Sequence, residues 1–266
     1  MINYIKLYFI FQKANLRSRL EYPFNFIIGI CSVTLLALSS LLLIWVITRK
    51  VPTIAGWNFY EIVFLISIWR TSHGIFIVTF QQIRNIELFL RQGLFDRYLL
   101  RPLNPLFQYF TIYFQFAGIG DLIAGVLGII YSASFMSDWS IRKGLTLVIV
   151  ITSGAAIYWA FETLIGSSAF WTLQASGIRS IFEIFMFRFS QYPMTIYSKG
   201  IKFIMTFILP LGFINFYPSY LFFGDKNQVP FSYTLIYLSP IVAVIMITIT
   251  YKVWKKGLNA YQGAGS

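Results

Sequence analysis

Between Tyr22 and Thr48 the chain carries no charged residue. At about 1.5 Å per residue, a helix over that run crosses the roughly 30 Å hydrocarbon core of a bilayer with some tilt. Such a run needs lipid, or the interior of a much larger protein, as its solvent. Five further apolar stretches follow at 57–80, 109–135, 145–171, 201–217 and 231–251. Only 11% of the residues are charged, against about 25% in soluble domains, so there is too little polar cover for a water-facing surface. The expectation is an all-α integral membrane protein with six transmembrane helices in a single domain, 1–266.

The segments between the apolar runs read as follows. Residues 1–21 mix Lys6, Lys13, Arg17 and Arg19 with Tyr4, Ile5, Leu7 and Phe9, as in a helix lying in the membrane interface. No small-residue cleavage site precedes a short apolar core there, so no cleavable leader is expected. Residues 81–106 form the longest polar interval, with Glu87 and Arg91 four apart on a helical face and Gly93, Pro102 and Pro105 breaking the chain. Residues 174–200 read as a second interfacial segment. Pro210 is expected to bend the fifth helix and Pro218 to end it, leaving a short outer re-entrant piece at 218–224. Pro240 is expected to kink the sixth helix, and 252–266 is the tail.

The net charge of +12 could suggest nucleic acid, but no nucleic-acid-binding module is present. The cations follow the positive-inside rule. Fifteen Lys and Arg fall in 1–21, 81–106, 174–202 and the tail, five fall in the opposite loops, and Arg70 lies within the second apolar run. Both ends are therefore expected in the cytoplasm.

Several chemistries are missing. A phosphate-binding P-loop needs Gly-Lys followed by Ser or Thr, and Gly-Lys occurs nowhere in the chain. One His and one Cys are too few for a transition-metal site. Cys31 reads as a small hydrophobe. No catalytic residue, bound cofactor or metal is expected.

Four ionisable residues lie inside apolar runs: Arg70, His73, Asp121 and Glu162. An ionised group near the bilayer centre costs roughly 2.5–3.5 kcal/mol on an insertion scale, so each needs a partner or water. Arg70 and Asp121 sit at matching depths and are expected to pair. Such groups either fix helix packing or line a translocation path. Such a chain could be a scaffold or immunity factor, or an ion-coupled carrier.

The first inner loop reads Gly93-Leu94-Phe95-Asp96-Arg97-Tyr98-Leu99-Leu100-Arg101-Pro102-Leu103-Asn104-Pro105-Leu106, and the chain ends Trp254-Lys255-Lys256-Gly257-Leu258-Asn259-Ala260-Tyr261 and a small-residue tail. With Pro210-Leu211-Gly212-Phe213 and Tyr217-Pro218, this pattern resembles the type-two ABC exporter permeases, in a bacterial subgroup of short six-helix subunits. The resemblance implies an N-terminal elbow helix, a coupling helix between the second and third spans, and outer re-entrant helices after the fifth. It implies ATP and Mg bound on separate ABC ATPase subunits, a second permease subunit, identical or different, and an inner-membrane location. The coupling residues would be Arg84, Glu87, Arg91, Leu94, Phe95, Asp96, Arg97 and Arg101. Substrates of such exporters include drugs, cationic amphiphiles, peptides, lipids and glycans.

Overall fold

A computed structural model describes residues 4–21, 23–111, 113–136, 139–223 and 229–262. The expected outer residues 224–228, with Asp225 and Lys226, and the tail beyond 262 lie outside them.

The chain starts with helix α1 (Tyr4–Leu20) and the long α2 (Pro23–Lys50). A two-residue hairpin follows, β1 (Thr53–Ile54) and β2 (Trp57–Asn58), antiparallel through Ala55 and Gly56. Both turn residues have positive φ, 48° and 81°, as a tight hairpin matched to strand twist requires. Trp57 is fully buried against Phe216, Tyr220 and Phe223. Asn58 then caps α3 (Phe59–Phe80) in a capping box with Glu61, which gives that carboxylate a local role.

The α3 helix is the axis of the molecule. It packs on α7 (Ala117–Ala133) at one side and α8 (Ile141–Thr172) at the other. The α2 helix lies outside α7, and α12 (Ser239–Ala260) outside α8. Burial follows this order. Ile62–Ser72 of α3 are buried without a break, as in a helix enclosed by others. In the most apolar stretch of α2, with mean hydropathy 2.5, only 11% of the residues are buried. The rest, including Ile28, Leu35, Leu36 and Leu42, form an exposed apolar surface suited to lipid. Among the described residues three helices, Pro23–Lys50, Phe59–Arg91 and Ile141–Thr172, are long and apolar enough to cross a membrane.

The α3–α7 contact is made backbone to backbone. A Cβ at Gly125 would stand 2.8 Å from the Thr71 nitrogen and 3.0 Å from the Ser67 carbonyl oxygen. Small residues allow this approach, and dispersion and polar contacts replace the missing hydrophobic drive between helices in lipid.

The expected third run, 109–135, is not one rod. The α6 helix (Pro105–Thr111) ends first, residues 113–115 are non-helical, and α7 starts at Ala117. Asn15 of α1 donates to the terminal Thr111 carbonyl at 2.9 Å, supplying a partner that another helical turn would otherwise give.

The segment 174–200 also departs from a flat interfacial piece. The α9 helix (Ser176–Phe189) runs alongside α3 and α8. Arg179 bonds the Arg84 carbonyl just past the C-terminal end of α3. Phe182 contacts Tyr158 and Phe161. Phe187 meets the Trp69 ring at 6.1 Å, and Asn215 Nδ2 bridges the Ser190 and Leu65 carbonyls at 2.9 and 3.1 Å. The α9 helix thus climbs the bundle, with Phe182 and Met186 turned inward.

The expected fifth rod at 201–217 is broken into α10 (Lys199–Phe203), a π-turn at Ile204–Ile208, a 3-10 turn at Leu211–Phe213 and α11 (Phe216–Ser219). The two halves meet at 75°, with Pro210 at the corner. Pro218 sits within α11 and is buried. The sixth element differs too. Residues Tyr233–Tyr237 form a 3-10 turn, and α12 begins only at Ser239, with Pro240 in its first turn. A first-turn proline costs no hydrogen bond and presets φ, so Pro240 starts this helix instead of kinking it. The same helix runs through Lys252, Lys255 and Lys256 to Ala260, where a tail was expected.

Candidate functional site

Among the described residues the largest charge cluster lies at the end of the bundle where α3 finishes. A short 3-10 helix (Gln81–Asn85) continues α3 into α4 (Ile86–Arg91). From it Arg84 reaches Glu162 of α8, with Nε at 3.1 Å and Nη2 at 2.8 Å from Oε1. Arg179 of α9 donates its Nε to the other Glu162 oxygen at 3.2 Å and its Nη1 to the Arg84 carbonyl at 2.7 Å. Glu183 accepts from Arg84 Nη1 at 3.2 Å. Glu162 is fully buried, so its charge is held by two guanidiniums, as a buried carboxylate requires.

A second tie lies beside it. Glu87 Oε2 accepts from the Ala175 and Ser176 backbone N–H groups, both at 2.8 Å. These open α9, so a carboxylate from α4 caps the helix start on another element. Arg91 bonds Glu87 at 2.9 Å and donates to the Leu173 carbonyl at 2.6 Å. Leu173 has a positive φ of 52° and terminates α8. The residues around Glu87 are therefore fixed to the α8–α9 junction at three points.

Beyond Gly93, with φ of 67°, the chain forms α5 (Asp96–Leu99). Phe95 was expected to dock on a partner, but it is fully buried. Its ring is enclosed by Tyr98, Tyr109, Phe170, Trp254 and Tyr261, so it anchors the loop to the ends of α8 and α12. Asp96 lies beside Tyr261, whose hydroxyl pKa is pushed up to about 12 by burial and that carboxylate. Arg97 stacks over Phe89 and Tyr98 and donates to the Tyr98 hydroxyl at 2.7 Å. Leu88, Leu94, Leu99, Leu100 and Arg101 are exposed, Leu100 by 86%.

The α1 helix gathers at this end through Tyr4–Phe107 and Asn15–Thr111 contacts. The C-terminal end of α12 arrives through Trp254. The α12 end therefore meets the 81–106 segment, and α1 meets α6 directly after it.

A separate cluster lies halfway along α3. Arg70 Nη1 donates to Asp121 Oδ1 at 2.8 Å, and Arg70 Nη2 to Ser40 Oγ at 2.8 Å. His73 Nδ1 shares a hydrogen bond of 2.8 Å with Asp121 Oδ2. The His73 ring stacks on Trp69 and meets Tyr158 edge-on. Arg70 and Asp121 are 4% and 6% exposed, so the group ties α2, α3 and α7 together inside the bundle. Glu162 joins the cluster with Arg84 and Arg179 instead. The roles of Arg179, Glu183 and Ser40 were missed in the sequence. Glu162 and Arg84 lie at similar depth, which was the available signal.

Among the described residues no group of His, Cys, Asp and Glu is arranged to hold a metal ion. No curated protein and no solved structure matches the chain. The sequence profile of a family described as ABC-2 family transporter protein matches residues 34–265. That match spans the bundle from the middle of α2 to beyond α12, and the chain belongs to the ABC-2 transporter family.

Proposed function

We propose that this chain is the permease subunit of an ATP-driven exporter, powered by a separate ABC ATPase that docks on residues 81–106. The observation that carries this reading is the fastening of that segment. It exposes Leu88, Leu94, Leu99, Leu100 and Arg101, and it is bound beneath to α8 and α9 through Glu87, Arg91, Arg84, Glu162 and Arg179. Apolar anchors with orienting charges suit a docking face. Ion pairs and backbone caps beneath them suit transmission of a push into two helices at once.

Six crossings, by α2, α3, α6 with α7, α8, α9 with the bent 199–219 segment, and α12, would put both ends on the ATPase side. The positive-inside bias supports this orientation. Closure of two ATPase subunits around ATP and Mg would press on this face in each half of a dimer. The α8 and α9 helices would then tilt against the α3–α7 pair, which the Arg70–Asp121 cluster holds together.

Co-purification tests the proposal. A tagged chain expressed with the ABC ATPase encoded beside it should retain that ATPase through washing in mild detergent. Leu100→Asp should lose it while the permease itself still elutes as a monodisperse species. Stable isolation with a partner that has no P-loop ATPase would overturn it and favour a scaffold.

A further inference from the structure

The ascent of α9 moves a cation. Arg188 lies in a segment expected at the cytoplasmic interface, yet its neighbour Phe187 packs on Trp69. Trp69 is ten residues along α3 from Phe59, roughly 15 Å below the outer end of that helix. Arg188 is exposed on the flank of the molecule, and no ion-pair partner is present for it among the described residues. It lines an open cavity of about 580 Å³ with Leu43 of α2, Phe185, Phe189, Gln191 and Tyr192. No acidic residue lines that cavity. Gln191 is only 5% exposed, and its Nε2 has no hydrogen-bond partner among the described residues.

A guanidinium at that depth requires a counter-charge, and a buried amide N–H₂ left unpaired costs about 1–3 kcal/mol. The unpaired Arg188 guanidinium therefore lines an aromatic-walled cavity that supplies no acceptor charge, and the unpaired Gln191 amide nitrogen lies just beneath its wall. An anion satisfies both, and the walls cover an apolar body attached to it. We infer that the Arg188–Gln191 cavity binds an anionic amphiphile as the transported cargo, with its phosphate or carboxylate on Arg188 and Gln191 and its apolar part along Phe185, Phe189 and Leu43. The word cargo rests on the exporter reading; the binding chemistry does not.

The test uses the complete permease–ATPase complex in phosphatidylcholine nanodiscs, with radiolabelled dodecyl phosphate and dodecyltrimethylammonium as probes. The wild type should bind dodecyl phosphate about tenfold or more tightly than the cation, and Arg188→Gln should weaken that binding by about tenfold or more, as loss of a charge-assisted bond implies. Arg188→Lys should retain most of it. Dodecyl phosphate should also raise ATP turnover in the wild type and not in Arg188→Gln.

Equal affinity for the two probes, or unchanged affinity in Arg188→Gln, overturns the site. Arg188-dependent binding without any effect on ATP turnover marks a resident lipid and overturns the cargo assignment. If Arg188→Gln changes the oligomeric state by light scattering and leaves binding intact, the face belongs to a second permease and the inference fails. Should no ATPase accompany the chain, the exporter reading fails separately, and the binding comparison on the chain alone still decides the site.

Discussion

At the scale of single residues, two buried positions carry opposite lessons. Arg70 and Asp121 make a direct ion pair inside the bundle. Breaking a buried pair from one side costs about 3–5 kcal/mol, because the remaining charge is stranded. Arg70→Ala and Asp121→Ala should therefore each lower the thermal midpoint in nanodiscs by several degrees, and the double variant should fall well short of the sum. Additive losses would show that the contact carries no coupling. This contact was legible because both residues interrupt apolar runs at the same depth. Ser40 and His73 completing the cluster was not, since a serine or a histidine among apolar neighbours has many uses. Phe95 was misread for a physical reason. A phenylalanine beside an aspartate in a polar loop looks like a docking knob, and only the packed ends of α8 and α12 show it to be core. Phe95→Ala should cost about 3–5 kcal/mol, whereas Leu100→Asp, at an exposed site, should stay within about 0.5 kcal/mol. Thermal unfolding of the two purified variants checks this contrast.

At the scale of elements, the least expected feature is α9. Its charges Arg179 and Glu183 point at other charges on α8 and on the 3-10 helix after α3, while Ile178, Ile181, Ile184 and Phe187 are exposed. A sequence pattern with one charged and one apolar face fits a helix lying at the interface. It fits equally a helix standing in the bilayer with its charges satisfied inward, and tertiary contacts choose between them. If Glu162 clamps this helix, Glu162→Leu strands Arg179 and leaves Arg84 only the partly exposed Glu183. Amide exchange should then accelerate across Ser176–Phe189, with a loss of about 3–5 kcal/mol in stability. Unchanged protection of α9 would show that the clamp is not what holds it. The apolar runs themselves were legible throughout, because lipid demands long uncharged helices. Breaks inside them were less so. Pro210 marks a corner, but the break before Ala117 contains no proline and depends on Asn15 of a distant helix.

At the scale of the whole molecule, the two described ends and the 81–106 segment share one end of the bundle, and the hairpin at Ala55–Gly56 and the start of α8 share the other. In a Cys31→Ser background, a membrane-impermeant maleimide should label Ile141→Cys from outside intact cells and Leu100→Cys only after permeabilisation. Labelling of both from the same side would refute the proposed crossings. Family membership was legible in the loop and tail motifs, which lie within the span the family profile matches. The exporter reading needs energy to enter through the exposed face of residues 81–106. The most direct test is ATP turnover of the reconstituted complex, compared between the wild type and Leu100→Asp at equal, saturating ATPase subunit. The account predicts that permease-dependent stimulation disappears in Leu100→Asp while the permease stays folded. Stimulation at the wild-type level in that variant would contradict it.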